Sequence, residues 1–379
     1  MTNTKTYDVA VIGGGLGGLT LAIQLAKQGR SVVLFEKETY PFHRVCGEYI
    51  AMESWGFLER LGLRLSEMNL PRITRLQVSS PSGNMVKHNL NPGGFGISRY
   101  TIDFELSKIA KSIGVLVLEN TKVNDIEFSN ETFTIKTSNG DFRSTMCCGA
   151  YGKKSNIDIK LKRKFVEKPL GKINNVVGAK YHIRLDFPDD LIELHNYKDG
   201  YCGISKVDGD KYCICYLTTA KNFEANNNSI EELEEKEIKK NPFLKKYFNE
   251  AEFLWEKPVV ISQVNFSKKT CIENHVIMVG DTAGLIAPLC GNGMSMAMNA
   301  SKILADLFDE FFKGNLNREQ VEAAYTGAWK QNFKGRLFIG RTIQSLFGNE
   351  TMTNIFIGSM KPFPGLVNKL IKSTHGQPF

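Results

Sequence analysis

Unbroken apolar runs and helical spacing mark both ends of the chain, while two-residue alternation fills much of its middle. Val9, Ala10, Val11 and Ile12 form a continuous apolar run, the pattern of a strand covered on both faces. Leu16, Leu19, Ala22, Ile23 and Ala26 then recur at helical spacing, and Gly29 supplies a stop. A second apolar run over residues 31–35 ends at Glu36. Strand, glycine turn, helix and strand in that order predict the βαβ start of a parallel sheet.

The middle of the chain reads differently. Residues 131–135 and 141–145 flank Asn139-Gly140, a pair that tolerates positive φ and predicts a hairpin. Ala179, Tyr181, Ile183 and Leu185 alternate with Lys180, His182 and Arg184, which predicts a half-buried strand. Residues 201–207 and 211–217 flank Asp208-Gly209-Asp210, a second hairpin signal. Ser229 and Glu232 form a capping box that opens a charged helix to about Lys240, read as a solvated face. Residues 276–279 are a late apolar strand and residues 293–312 a long helix. The α/β pattern thus starts, is interrupted by an antiparallel region and returns. That order implies a discontinuous nucleotide-binding domain with a β-rich insertion.

Length and composition fit this picture. A chain of 379 residues suits two domains, and 42% apolar with 23% charged residues excludes a disordered or collagen-like chain. No apolar run reaches the ~18 residues of a spanning helix. Residues 1–7 lack the features of a secretory signal, and the eight cysteines include no C-x-x-C pair, so a reduced, cytoplasmic protein is expected. The net charge of +8 suits anionic cofactors or a membrane surface, but the cations are scattered, which argues against nucleic acid. The six histidines show no metal-ligand spacing, so no metal site is expected. The oligomeric state is left open.

Two motifs carry chemistry. In the first, Gly13, Gly15 and Gly18 match G-x-G-x-x-G, with Leu16 and Gly17 inside the loop. The first glycine permits a tight turn, the second lets backbone approach a pyrophosphate, and the third allows close helix–strand packing. Glu36, followed by Lys37, ends the next strand where a carboxylate can accept from ribose hydroxyls. The second motif runs from Val279 through Gly280-Asp281-Thr282-Ala283-Gly284 and Pro288 to Gly291-Asn292-Gly293-Met294. Asp281 can accept from the hydroxyls of a ribityl chain. Gly291 to Met294 then open a helix whose positive end would face a flavin ring and favour its anionic reduced form. Together the two motifs predict FAD.

With these residues, Ile97-Ser98-Arg99-Tyr100-Thr101-Ile102-Asp103 included, the chain resembles the FAD-dependent oxidoreductases of the para-hydroxybenzoate hydroxylase and geranylgeranyl reductase superfamily, from about Tyr7 to Leu307. The resemblance implies a glutathione-reductase-like, Rossmann-type FAD domain (residues 1–75, 97–160 and 268–320). It also implies an inserted antiparallel substrate domain (76–96 and 161–267) and a helical cap (321–379). It assigns Arg44 and Arg99 to FAD. Arg44-Val45-Cys46-Gly47-Glu48 is most similar to the geranylgeranyl reductase branch, which makes Cys46 the candidate catalytic residue. Tyr201-Cys202-Gly203-Ile204 falls where those reductases place an aromatic hairpin over substrate. Tyr151 stands where many flavin monooxygenases carry an Asp, which puts NADH or NADPH as direct electron donor in doubt. The expected substrate is an apolar or aromatic small molecule, acted on by C=C reduction or dehydrogenation. Oxygenation by reduced FAD and O₂ and non-enzymatic electron transfer are the alternatives. Apolar residues of the C-terminal segment, among them Phe356, Ile357, Phe363 and Leu366, are read as a cap on the pocket, with a shallow membrane contact as the second option.

Overall fold

The computed structural model describes residues 5–166, 175–286, 291–346, 350–374 and 376–379. Pro288 and Cys290 lie outside the described residues. The opening unit forms as its apolar runs predict: strand Thr6–Ile12, helix Leu16–Lys27 and strand Val32–Phe35. The first strand pairs in parallel with Val32–Phe35 on one side and with the second half of Gly140–Gly149 on the other. Leu116–Leu118 and Val276–Met278 extend this parallel layer at its two sides. The first half of Gly140–Gly149 instead pairs antiparallel with Thr132–Thr137 across the expected Asn139-Gly140 turn, with Gly140 at φ +112°. Helices Leu16–Lys27 and Gly293–Phe312 pack on the sheet and meet where the Thr20 and Ser301 hydroxyls approach to 2.7 Å.

A second, nine-stranded sheet carries the inserted region. Its path runs Glu252–Phe253, Val176–Arg184, Tyr212–Thr219, Gly200–Lys206, Leu191–Tyr197, Arg72–Ser79, Met85–Gly96 and Tyr49–Ala51. Val259–Val264 also pairs with Val176–Arg184. All neighbours are antiparallel except Leu191–Tyr197 beside Arg72–Ser79. The hairpin expected around Asp208-Gly209-Asp210 is present. Three helices follow at the C-terminal end: Arg318–Leu346, Glu350–Met360 and Pro364–Thr374. The last lays Ile371 against Tyr49, Ile73 and Leu90. No helix among the described residues is long and apolar enough to cross a membrane.

Two readings are corrected. Strand Val176–Arg184 is buried on both faces through Ile183, because the polar atoms of Lys180 and His182 are partnered by a buried carboxylate rather than by water. The charged helix ends at Lys236 and is not uniformly solvated. Ser229 caps Glu232 N, but the Glu232 carboxylate turns to Lys236 instead of returning to the cap. Within that helix Glu234 accepts hydrogen bonds from Tyr181 and Tyr216, and burial raises its pKa.

Candidate active site

The two sheets enclose a cavity of about 880 Å³. One side is walled by loops at the C-terminal ends of the parallel strands. The loop after the first strand is closed to any side chain. Gly13 sits at φ +106°, and a Cβ there would lie 2.5 Å from the Ala150 carbonyl oxygen. A Cβ on Gly18 would lie 2.0 Å from the Gly13 oxygen. Gly15 and Gly17 line the cavity, and the Arg99 guanidinium lies 3.4 Å from where a Gly15 Cβ would stand. Bare backbone, a helix N-terminus and a guanidinium therefore converge where a pyrophosphate needs them.

Glu36 is buried and fixed. Its Oε2 accepts from Gly14 N at 3.0 Å and from Arg44 Nη2 at 2.8 Å, and its Oε1 accepts from Glu38 N at 3.1 Å. A carboxylate has about four acceptor positions, so one stays open for a hydroxyl. Arg44 also donates to Asp103 Oδ2 and stacks on Phe42, while Arg99 grips both Asp103 oxygens at 2.9 and 2.6 Å. Burial lowers the Arg99 pKa, but Asp103 outweighs it and the net shift is upward. Lys37 lies at the cavity rim, paired with Glu38 at 3.5 Å.

Across the cavity, the short turn Gly280–Thr282 presents Asp281, and Gly291, Gly293 and Met294 line the wall at the start of the long helix. Asn292 stands at the N-cap position of that helix and is buried. The donors, acceptors and side-chain-free cradle fit FAD. Bound there, it would be held by the Gly13–Gly18 backbone, Glu36, Arg44, Arg99, Asp281 and the start of helix Gly293–Phe312.

The other side of the cavity is a face of the second sheet. Ile192, Leu194, Leu217 and Ile261 make it apolar, and Leu285, from the segment after the Gly280–Thr282 turn, packs with Leu217. Tyr201 also lines it, whereas Cys202 points away and is buried. Cys46 stands between the two sides, with its Sγ 3.7 Å from Met294 Sδ and 3.5 Å from Glu48 N.

Behind Cys46 lies a cluster that the sequence reading missed. Glu48 is fully buried at φ +57°, on the same segment as Cys46. Its Oε1 accepts from Lys180 Nζ at 2.5 Å and from Arg99 N at 2.8 Å, and His182 Nε2 lies 2.6 Å from its Oε2. Burial pushes the Glu48 pKa up, but Lys180 and His182 outweigh it and hold it below the usual value. His43 packs among Tyr100, Trp255 and His182, and burial, with Lys180 nearby, lowers its pKa to about 4. Glu48, His182 and Cys213 offer ligand atoms within 4.8 Å of one another, but the Lys180 ammonium already occupies Glu48 and repels a dication.

Tyr151 turns its hydroxyl onto Asp158 Oδ1 at 2.9 Å, so no free carboxylate stands at that point of the loop.

Comparison with known proteins agrees with FAD as the cofactor. The family described as "FAD binding domain" matches residues 6–327. Conditioned medium factor receptor 1 of Dictyostelium discoideum is 26% identical over 375 residues, covering 90% of this chain and 70% of that protein. Digeranylgeranylglycerophospholipid reductase of Methanocaldococcus jannaschii is 26% identical over 346 residues, covering 86% and 82%. Among solved structures, a flavin-dependent brominase superposes with a TM-score of 0.80 at 19% identity over 98% of this chain and 93% of that one. A geranylgeranyl bacteriochlorophyll reductase-like protein from Thermoplasma acidophilum gives 0.79 at 20% identity over 99% and 97%. The chain belongs to the FAD-binding-domain family and is an FAD-dependent oxidoreductase.

Proposed function

We propose that this FAD-dependent oxidoreductase reduces, or in reverse desaturates, a C=C bond of an apolar small molecule held between Cys46 and the second sheet. The observation that carries the reading is the position of Cys46. Its thiol is part of the wall where the cofactor loops meet the apolar sheet face, beside Met294 at the start of the long helix. The resemblance of the Cys46-Gly47-Glu48 segment to geranylgeranyl reductases supports the same reading, as does the reductase among the relatives.

FAD, when bound, supplies hydride exchange. The chain supplies the rest. Ile192, Leu194, Leu217 and Ile261 orient an apolar substrate and exclude water. Cys46 holds a proton at Sγ, facing the space where hydride transfer leaves the second carbon in need of one. The Glu48 cluster fixes the Cys46 segment from behind.

Anaerobic reduction of the FAD-loaded enzyme, followed by separate additions, tests the proposal. An unsaturated apolar substrate should reoxidise the flavin without O₂ and gain two hydrogens. Reoxidation by O₂ alone, with an oxygen atom appearing in the substrate, would instead establish oxygenation.

A further inference from the structure

Beneath the cavity floor, two buried cations grip the backbone of the turn that presents Asp281. Lys269 is 8% exposed, and its Nζ donates to the Asp281 carbonyl oxygen at 2.9 Å. Arg163 is fully buried. Its Nη1 donates to the Thr282 carbonyl oxygen at 2.9 Å and to Asp158 Oδ1 at 2.8 Å, and its Nη2 donates to Thr270 O at 2.7 Å. The neighbouring loop is tied to the same turn, since Gly152 N donates to Thr282 Oγ1 at 2.8 Å. Lys269 reaches that loop too, at the Lys153 carbonyl oxygen, 3.4 Å away.

Carbonyl oxygens of an ordinary surface turn are satisfied by water. Here both successive carbonyls are satisfied by buried cations, and the Lys269 bond fixes the peptide that follows the cavity-lining Asp281. Such charged hydrogen bonds are stronger than neutral ones and leave the turn little freedom. We propose that Lys269, together with Arg163, is a positioning residue for the cofactor, holding the Gly280–Thr282 turn so that the Asp281 carboxylate is aimed into the cavity before FAD arrives. The inference concerns cofactor binding and holds whichever reaction follows.

The geometry gives this clamp a pH dependence. Burial lowers the Lys269 pKa to about 8, with Asp158 and Asp281 opposing and Arg163 assisting. The other groups around it are the Phe165 ring below the ammonium and Glu273 beside Arg163 at 3.8 Å, with Tyr151 on Asp158. Above pH 8 Lys269 loses the charge that makes it a strong donor, so FAD affinity should fall. Stability of the apoprotein should move the other way. An unfolded lysine keeps its proton to about pH 10.4, so deprotonation in the folded state favours folding as pH rises from 8 toward that value. A lysine that merely filled space would not produce these opposite trends.

The test is titration of apoprotein with FAD, followed by flavin fluorescence, at pH 7 and pH 9. Wild type should bind about tenfold more weakly at pH 9, the scale of one weakened charged hydrogen bond. Lys269→Met should bind about tenfold more weakly already at pH 7 and show no further loss at pH 9. Lys269→Arg keeps a cation that does not titrate, so its affinity should stay level across the range. It also keeps the test decisive if Lys269→Met does not fold. Relative to Lys269→Arg, the wild-type apoprotein should gain melting temperature between pH 8 and 10. Equal affinity of Lys269→Met and wild type at pH 7 would overturn the proposal. So would wild type and Lys269→Arg weakening in parallel.

Discussion

On the cofactor side of the cavity the wall is backbone, while on the substrate side it is side chains. Gly13 and Gly18 leave the first wall bare because any Cβ would strike a neighbouring carbonyl, and its charges are short-range pairs such as Glu36 with Arg44. The second wall is an apolar sheet face, bordered by a buried cluster that joins Glu48 to Lys180 and His182. A backbone wall tolerates almost no substitution but can be shared by every protein that binds the same cofactor. A side-chain wall can be rebuilt residue by residue, and that is where one flavoenzyme comes to differ from another.

The largest effect should come from breaking the backbone wall. Gly18→Val would place carbon against the Gly13 oxygen, where an added Cβ already stands at 2.0 Å, so the loop must open. The variant is expected to retain no FAD after purification, with its melting temperature sharply reduced. Cofactor release and thermal denaturation check this.

Next in size is removal of the buried cation behind Cys46. Lys180→Met leaves the Glu48 carboxylate buried against a neutral chain, and stranding one partner of a buried ion pair costs about 3–5 kcal/mol. Lys180→Met combined with Glu48→Gln should recover much of that loss, measured by chemical denaturation. The pH dependence has a definite sign. Glu48 has a lowered pKa, so its contribution is present above about pH 4.3, the unfolded value, and fades as pH falls through the folded one. Lys180 has a raised pKa, so its contribution is full below about pH 10.4 and is lost only above that. Wild type should therefore lose stability in acid more steeply than the double variant.

These two walls were also unequally legible in the sequence. Gly13–Gly18, Glu36, Asp281 and the helix start at Gly293 act through local backbone geometry, which a residue pattern encodes directly. Asp103, which unites Arg44 and Arg99, carries no such signal, because its function depends on two arginines brought together by the fold. Lys180 and His182 fall in the polar positions of an alternating, half-buried strand pattern. Period-two alternation assigns polar side chains to water unless a partner is known, and that partner stands 132 residues away. Arg163 and Lys269 left no signal at all, because they act on carbonyl oxygens, which every residue has.

Cys46→Ser examines the junction between the walls. The cofactor contacts are untouched, so FAD should remain bound. Turnover per bound flavin should fall about a hundredfold, the lower range for loss of a positioned acid–base group. Unchanged turnover with a lowered melting temperature would make Cys46 a packing residue. Asp281→Ala should have the opposite signature. It removes a charged acceptor from the cofactor side, so FAD affinity should fall about tenfold, with turnover at saturating FAD much less affected.

The smallest expected effect concerns the outer end of the ion cluster. His43 is partly exposed, stacks on Tyr100 with centroids 4.6 Å apart and has its pKa lowered to about 4, chiefly by burial. An unfolded histidine binds its proton at about pH 6.5, so between pH 6.5 and 4 the unfolded chain holds more protons and acid favours unfolding. Discounted for solvent around a partly exposed ring, this is worth about 1 kcal/mol. His43→Phe keeps an aromatic ring among Tyr100, Trp255 and His182 but cannot titrate. Its stability should be nearly level from pH 6.5 to pH 5, where wild type declines, as measured by denaturant midpoints at each pH. If both proteins decline alike, His43 is not the source of the sensitivity.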